Sequence, residues 1–291
     1  MKLKLLILLS LTLSTFAMNK GVYGTDDRVE ASLYHNPIIK EQSKAVAAMI
    51  YSSHIKEIDE NTHELMWGKY GMLDNFCKEV PFQGQPTSSN CTAFLISPTK
   101  VMTAGHCMRS TYNCNDTKFA FNYNIENVTG PHAPYDRFHI NGVKLYSCKN
   151  IDITINDKNS LLDYAIVELD RPVEGVTPLS LRKQGAAELG DGVYMIGTPG
   201  GIPLKITDNA TVFDSTSEVF FRTDLDAFHR NSGSPVLNEK THEVEGILVR
   251  GRPDYQKQGT CKAIKKCDSK DCPEGEEVTK INATKVFDFI N

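Results

Sequence analysis

Residues Cys91 to Cys107 read CTAFLISPTKVMTAGHC. An apolar stretch, Ala93 to Ile96, turns at Ser97-Pro98 and returns through Val101-Met102 to a small-residue corner that carries His106. Short apolar runs broken by Pro, Gly and Asn predict buried β-strands. The same punctuation recurs in YAIVELDRPV, in GVYMIGTPGG, and in SPVLNEKTHEVEGILV, a hairpin with its turn near Asn238 to Thr241. The chain therefore reads as all-β, a barrel or sandwich architecture with few short helices. One early helix is expected around KEQSKAVAAMI, residues 40 to 50. The final VFDFIN reads as a short closing helix or a strand.

The 291 residues are 40% hydrophobic and 23% charged, with a formal net charge of -4. This is ordinary globular composition, and it gives no argument for nucleic acid or an acidic membrane surface as partner. Lys2 and Lys4, the apolar run Leu5 to Leu13, and Thr15-Phe16-Ala17 have the pattern of a signal peptide over residues 1 to 17. The expected mature protein is exported, secreted or periplasmic, and free of the membrane. Residues 18 to 40 are expected to form an N-terminal arm or a short propeptide ending just before Val22, ahead of one domain over 41 to 291. Eight cysteines in an exported chain favour disulfides over free thiols. The alternative for CKAIKKCDSKDC is zinc, but its spacings are wider than the usual metal pairs and no His lies nearby. No metal or cofactor is expected.

Three local patterns occur in the order His, Asp, Ser: VMTAGHC with His106, LLDYAIVELDRP with Asp163, and NSGSPV with Ser232. Each alone is weak, and a His after a small-residue turn is more often structural. Together they form a nucleophilic constellation. A serine hydroxyl needs a base such as His106 to take its proton near neutral pH. A buried carboxylate, assigned to Asp163, fixes the imidazole tautomer and supports its positive charge during attack. Asp152, Asp157 and Asp170 compete for this role. Asp163 is preferred because it directly precedes an apolar strand, whereas Asp170 lies in a turn beside Arg171.

On TAGHC and NSGSPV the chain resembles the chymotrypsin-like (trypsin-fold) serine endopeptidases from about Val46 to the C-terminus, and within them the bacterial branch that includes the glutamyl endopeptidases. The resemblance implies two packed antiparallel six-stranded β-barrels, about 41–170 and 171–291, with the triad in the cleft between them. It implies a Cys91–Cys107 disulfide, an oxyanion hole made by the backbone N–H groups of Arg230 and Ser232, and a monomer acting on protein or peptide substrates. Cys114 with Cys148, and a bridge within 261 to 272, are further guesses. Asn231 stands where trypsin-like zymogens carry an Asp that pairs with the new N-terminus, so that form of activation is not expected.

Counting six residues back from Ser232 puts Asp226 at the expected floor of the primary specificity pocket, with Gly251 keeping the pocket open. A carboxylate there implies preference for Arg or Lys before the scissile bond. Leu248 occupies the position where glutamyl endopeptidases carry a His, which argues against Glu. Alternatively, Asp226 is an ordinary loop acid bonding backbone amides, and Asp224 is close enough to replace it. Arg230 stands where the family almost always has Gly, and a lost oxyanion donor costs about 100- to 1,000-fold in rate. Three readings follow: an active secreted endopeptidase, a binding or regulatory pseudoprotease, and an exported adhesion or metal-binding protein whose motifs are coincidental.

Overall fold

The computed structural model describes residues 22–66, 68–71, 74–130, 137–251, 253–267 and 275–290. The expected signal segment, residues 1 to 17, and Cys272 lie outside them. Twelve strands build two closed antiparallel barrels. In the first, β1 (Val46–Tyr51), β2 (Ser89–Ser97), β3 (Lys100–Thr103), β4 (Thr117–Phe121), β5 (Lys144–Asn156) and β6 (Asp163–Leu169) close in the order β1-β2-β3-β6-β5-β4. In the second, β7 (Gly192–Gly197), β8 (Lys205–Asp214), β9 (Phe220–Thr223), β10 (Pro235–Asn238), β11 (Val244–Arg250) and β12 (Glu276–Lys280) close as β7-β8-β9-β12-β11-β10. Counted from its own first strand, each barrel has the same order. Closure leaves no open sheet edge and buries one face of every strand.

Phe94, Met102, Phe119 and Ile166 fill the first barrel, and Met195, Phe221, Val236 and Val278 the second. The first of these clusters continues through Ile196, Leu204 and Ile247, so the two barrels share apolar packing along their seam. Between β10 and β11 the Asn238 carboxamide oxygen accepts the N–H groups of Lys240 and Thr241, which sets the hairpin turn where the sequence places it.

The early helix is shorter than expected. Asn36 caps α1 (Pro37–Ser43) by accepting the Ile38 N–H, with Pro37 at the first helical position. Its alanine-rich continuation enters β1 instead, and Ala45 to Ile50 are buried. Alanine's helical advantage is a few tenths of a kcal/mol per residue over most others, less than the gain from burying Val46 and Ile50 in a barrel. Among the described residues the other α-helix is α2 (Thr111–Asp116), and none is long and apolar enough to cross a membrane. The C-terminal VFDFI closes with one 3-10 turn at Val286–Asp288.

The N-terminal arm lies on the second barrel. Val22–Tyr23 pairs in parallel with Lys266–Cys267, and Val29–Glu30 pairs with Lys205–Ile206 of β8. Between them Arg28 is inserted at 5.1 Å from the Phe82 ring and 3.7 Å from the Phe228 ring, with its guanidinium on Asp26 at 2.6 Å. Lys205 is buried against Glu30 at 2.8 Å, and burial pushes its ammonium down to about 8.

Cys91–Cys107, Cys114–Cys148 and Cys77–Cys261 are bridged. Cys261 therefore does not pair within 261 to 272. The hairpin Tyr255–Gln258/Cys261–Ile264 folds back on the loop between β1 and β2, where Phe76 lies beside Lys262, and this brings Cys77 to Cys261. Cys267 is also disulfide-bonded.

Candidate active site

His106 follows β3 in the turn Gly105–Cys107, and Asp163 opens β6, the strand paired with β3. The turn needs its glycine: a side chain at Gly105 would collide with the Ile155 carbonyl. Asp163 is 3% exposed and holds the imidazole twice over. One oxygen accepts the His106 backbone N–H at 2.9 Å, and the other meets Nδ1 at 2.8 Å. With the proton on Nδ1, Nε2 is left as an acceptor. The competing acids are occupied elsewhere. Asp152 pairs with Lys100, Asp170 with Arg171 at 2.9 Å, and Asp157 accepts the Asn159 and Ser160 N–H groups.

Ser232 comes from the second barrel, on the loop before β10. Its carbonyl accepts the Thr92 N–H of β2 at 2.8 Å, while the next N–H, of Gly233, is donated to Leu248 of β11 at 2.8 Å. Consecutive backbone groups thus tie the serine to both barrels. Gly233 has φ +90°, and a side chain there would strike the Thr92 carbonyl. Ser232 and His106 line one cavity of about 280 Å³, together with Cys91, Cys107, His229 and Arg230. No hydrogen bond joins the Ser232 hydroxyl to the imidazole here, a contact that is commonly long in substrate-free sites. Cys91, Cys107 and His106 also approach one another as metal ligands would, but the two sulfurs are joined as a disulfide.

Arg230 is held at φ +77°, in the left-handed region that favours glycine. The orientation of its N–H follows from its neighbours. The His229 carbonyl accepts the Gly200 N–H at 2.7 Å, and in a trans peptide the following N–H points the opposite way. The Arg230 carbonyl is held separately, by the hydroxyls of Thr92 and Thr198 at 3.4 Å each. Among the described residues neither the Arg230 N–H nor the Ser232 N–H has an acceptor. The guanidinium turns away onto Thr87 Oγ1 at 2.9 Å. Burial pushes the guanidinium and the neighbouring His229 imidazole below their ordinary values.

Beyond Ser232 opens a second cavity of about 240 Å³, lined by Ala227 to His229, Leu248 to Gly251, Asp254 and Glu276. Leu248 and Gly251 line this cavity. Asp226 does not. Its carboxylate faces the N-terminal arm, accepting the Tyr23 N–H at 2.7 Å and the Asp27 N–H at 2.9 Å. Burial outweighs these two amides and pushes the carboxyl up to about 7. Asp224 accepts the Thr211 N–H at 2.6 Å. The carboxylates in the cavity are instead Asp254 and Glu276, which sequence spacing did not single out. β12 pairs with β11 through Arg250 opposite Glu277, and this register brings Glu276 against Gly251. The room exists because a side chain on Gly251 would collide with the Glu276 carboxylate.

Residues 91–247, more than half the chain, match the family model of the trypsin-like peptidase domain. Among solved structures, a Glu endopeptidase in complex with MPD is similar at a TM-score of 0.51 and 16% identity, covering 91% of this chain and 95% of its own. Human heparin binding protein is similar at a TM-score of 0.52 and 14% identity, covering 91% of this chain and 94% of its own. At these identities the likeness is one of fold. Among curated proteins none matches the sequence.

Proposed function

Because this chain belongs to the trypsin-like peptidase domain family, we propose that it is a secreted serine endopeptidase that cleaves after Arg or Lys. The observation that carries the reading is the pairing of His106 with the buried Asp163, His106 lining a cavity that Ser232 and Arg230 also line. Ser232 Oγ attacks the scissile carbonyl carbon and His106 Nε2 takes its proton, while Asp163 steadies the imidazolium. The N–H groups of Arg230 and Ser232 receive the developing oxyanion. His106 then gives its proton to the leaving amine, and water repeats the sequence on the acyl-enzyme. Three bridged cysteine pairs suit an extracellular protein. The signal segment at residues 1 to 17 would deliver it there.

The preference for a cationic residue now rests on Glu276 and Asp254 rather than on Asp226. Acidic groups lining the cavity beside the nucleophile, Glu276 with Asp254 held on the His229 N–H, match an Arg or Lys side chain better than an acidic one. The pseudoprotease reading is the alternative that Arg230 raises; an Arg230 N–H with no acceptor among the described residues supports the active reading over it. A fluorophosphonate probe tests the whole proposal: labelling at Ser232, lost in His106→Ala, is expected. Folded, processed protein that does not label would sink it. Peptides differing only in the residue before the cut (Arg, Lys, Glu, Phe) test the specificity.

A further inference from the structure

Beside the His229–Arg230 peptide lies a chamber of about 520 Å³. It shares His229 and Arg230 with the catalytic cavity, and His229 and Asp254 with the specificity cavity, but neither Ser232 nor the strand from Leu248 to Gly251 lines it. Its walls come from both barrels: the loop between β1 and β2, the turn after β7 at Gly200, and the hairpin that begins at Tyr255. Their facing surfaces are aromatic. The Phe76 ring stacks on Tyr255 at 4.5 Å and meets Tyr70 edge-on at 5.0 Å, and the two tyrosine hydroxyls are hydrogen-bonded. Gly200 has φ +62°, and a side chain there would strike the Tyr70 ring. The Cys77–Cys261 disulfide fastens the two loops to each other beside the chamber.

Charged groups in these walls are largely engaged. The Arg230 guanidinium is on Thr87, Asp74 is on Lys262 at 3.4 Å, and the Asp254 carboxylate accepts the His229 N–H at 2.8 Å; Lys69 adds one cation. What remains to meet a ligand is mostly apolar, with the half-buried Phe76 and Tyr255 rings in walls held before any ligand arrives. Such a site takes a flat apolar group at low ordering cost.

We propose that this chamber is a subsite for an aromatic side chain on the leaving-group side of the scissile bond. The assignment rests on the reading of Ser232 as the nucleophile. The residue before the bond fills the cavity behind Ser232, and the chamber adjoins the catalytic cavity at His229 and Arg230, within reach of the chain leaving past Arg230. Its stacked rings select Phe, Tyr or Trp over small and acidic residues.

The test uses full-length protein with Ser232→Ala, so that peptides bind without being cut. Peptides spanning an Arg-X bond, with X as Phe, Leu, Gly or Asp, are titrated by fluorescence anisotropy. The Phe peptide is expected to bind at least about 10-fold tighter than the Gly peptide, and the Asp peptide weakest. Adding Tyr255→Ala should bring Phe and Gly within about two-fold, with folding followed by circular dichroism. If that variant does not fold, the peptide ranking in the intact chamber decides by itself. Equal binding, no binding, or preference for Asp overturns the subsite. Cleavage of the same peptides by the unmodified protein separates the two claims. Selective binding without cleavage upholds the chamber and sinks the nucleophile reading, whereas cleavage without selectivity sinks the chamber alone.

Discussion

Asp163 illustrates how a single carboxylate can both build and activate a site. It fixes the His106 backbone as well as the ring, so Asp163→Asn should leave the turn largely in place while presenting the wrong tautomer. A fall in kcat of about 10,000-fold is expected, with little change in thermal melting. Arg230 predicts the opposite. Its φ of +77° costs about 1 kcal/mol relative to glycine, and its backbone N–H survives truncation. Arg230→Gly should therefore keep kcat/KM within a few-fold, the relieved strain offsetting the lost bond to Thr87. A 100-fold fall would show that the guanidinium takes part in catalysis. Glu276→Gln should cut the preference for Arg over Phe before the bond by at least about 10-fold. Asp226→Asn should leave that preference intact, because Asp226 faces the arm and not the cavity.

At the scale of elements, the N-terminal arm depends on that same carboxylate. Asp226 titrates at about 7 in the folded chain and near 3.9 when unfolded. Between those values the folded state keeps a proton that the unfolded state has released. Stability from this group is thus present at low pH and is lost as pH rises from about 4 to 7. Urea unfolding of Asp226→Asn beside the parent protein should show a gap that changes in this window, the parent losing more stability on going to pH 8. Parallel pH profiles would mean that the carboxylate is not desolvated as the fold implies. The arm was legible in the sequence only as a polar segment of uncertain role. Its partners include Lys266, β8 and Asp226, over 170 residues away, and Phe82, 54 residues away, and no local pattern announces them. The helix around residues 40 to 50 failed for a related reason: the barrel claims Val46 to Ile50 because burial outweighs alanine's local preference.

Across the whole molecule, Cys77–Cys261 links the loop between β1 and β2 of one barrel to the loop between β11 and β12 of the other, across 184 residues. Closing a loop of that length constrains the unfolded chain by about 5 kcal/mol in the entropic account. Replacing both cysteines by Ser should lower the free energy of unfolding toward that extent, and should weaken the chamber more than the specificity cavity. The family resemblance carried by TAGHC and NSGSPV implied the two barrels that the structure has, and the same motifs, with the apolar strand after Asp163, singled out His106, Asp163 and Ser232 as candidates. Those features are local: each residue type and its neighbours carry the signal within a few positions. The anion proposed to set specificity was not local. Asp226 and Glu276 are both acids on loop or strand ends, and their roles depend on which side of the second barrel each faces. The arm covers one, and the β11–β12 register turns the other toward Gly251. The sequence by itself determined the two-barrel frame and the candidate residues His106, Asp163 and Ser232; the packing of distant segments decided what surrounds them, because desolvation and contact belong to the assembled surface and not to the order of residues along the chain.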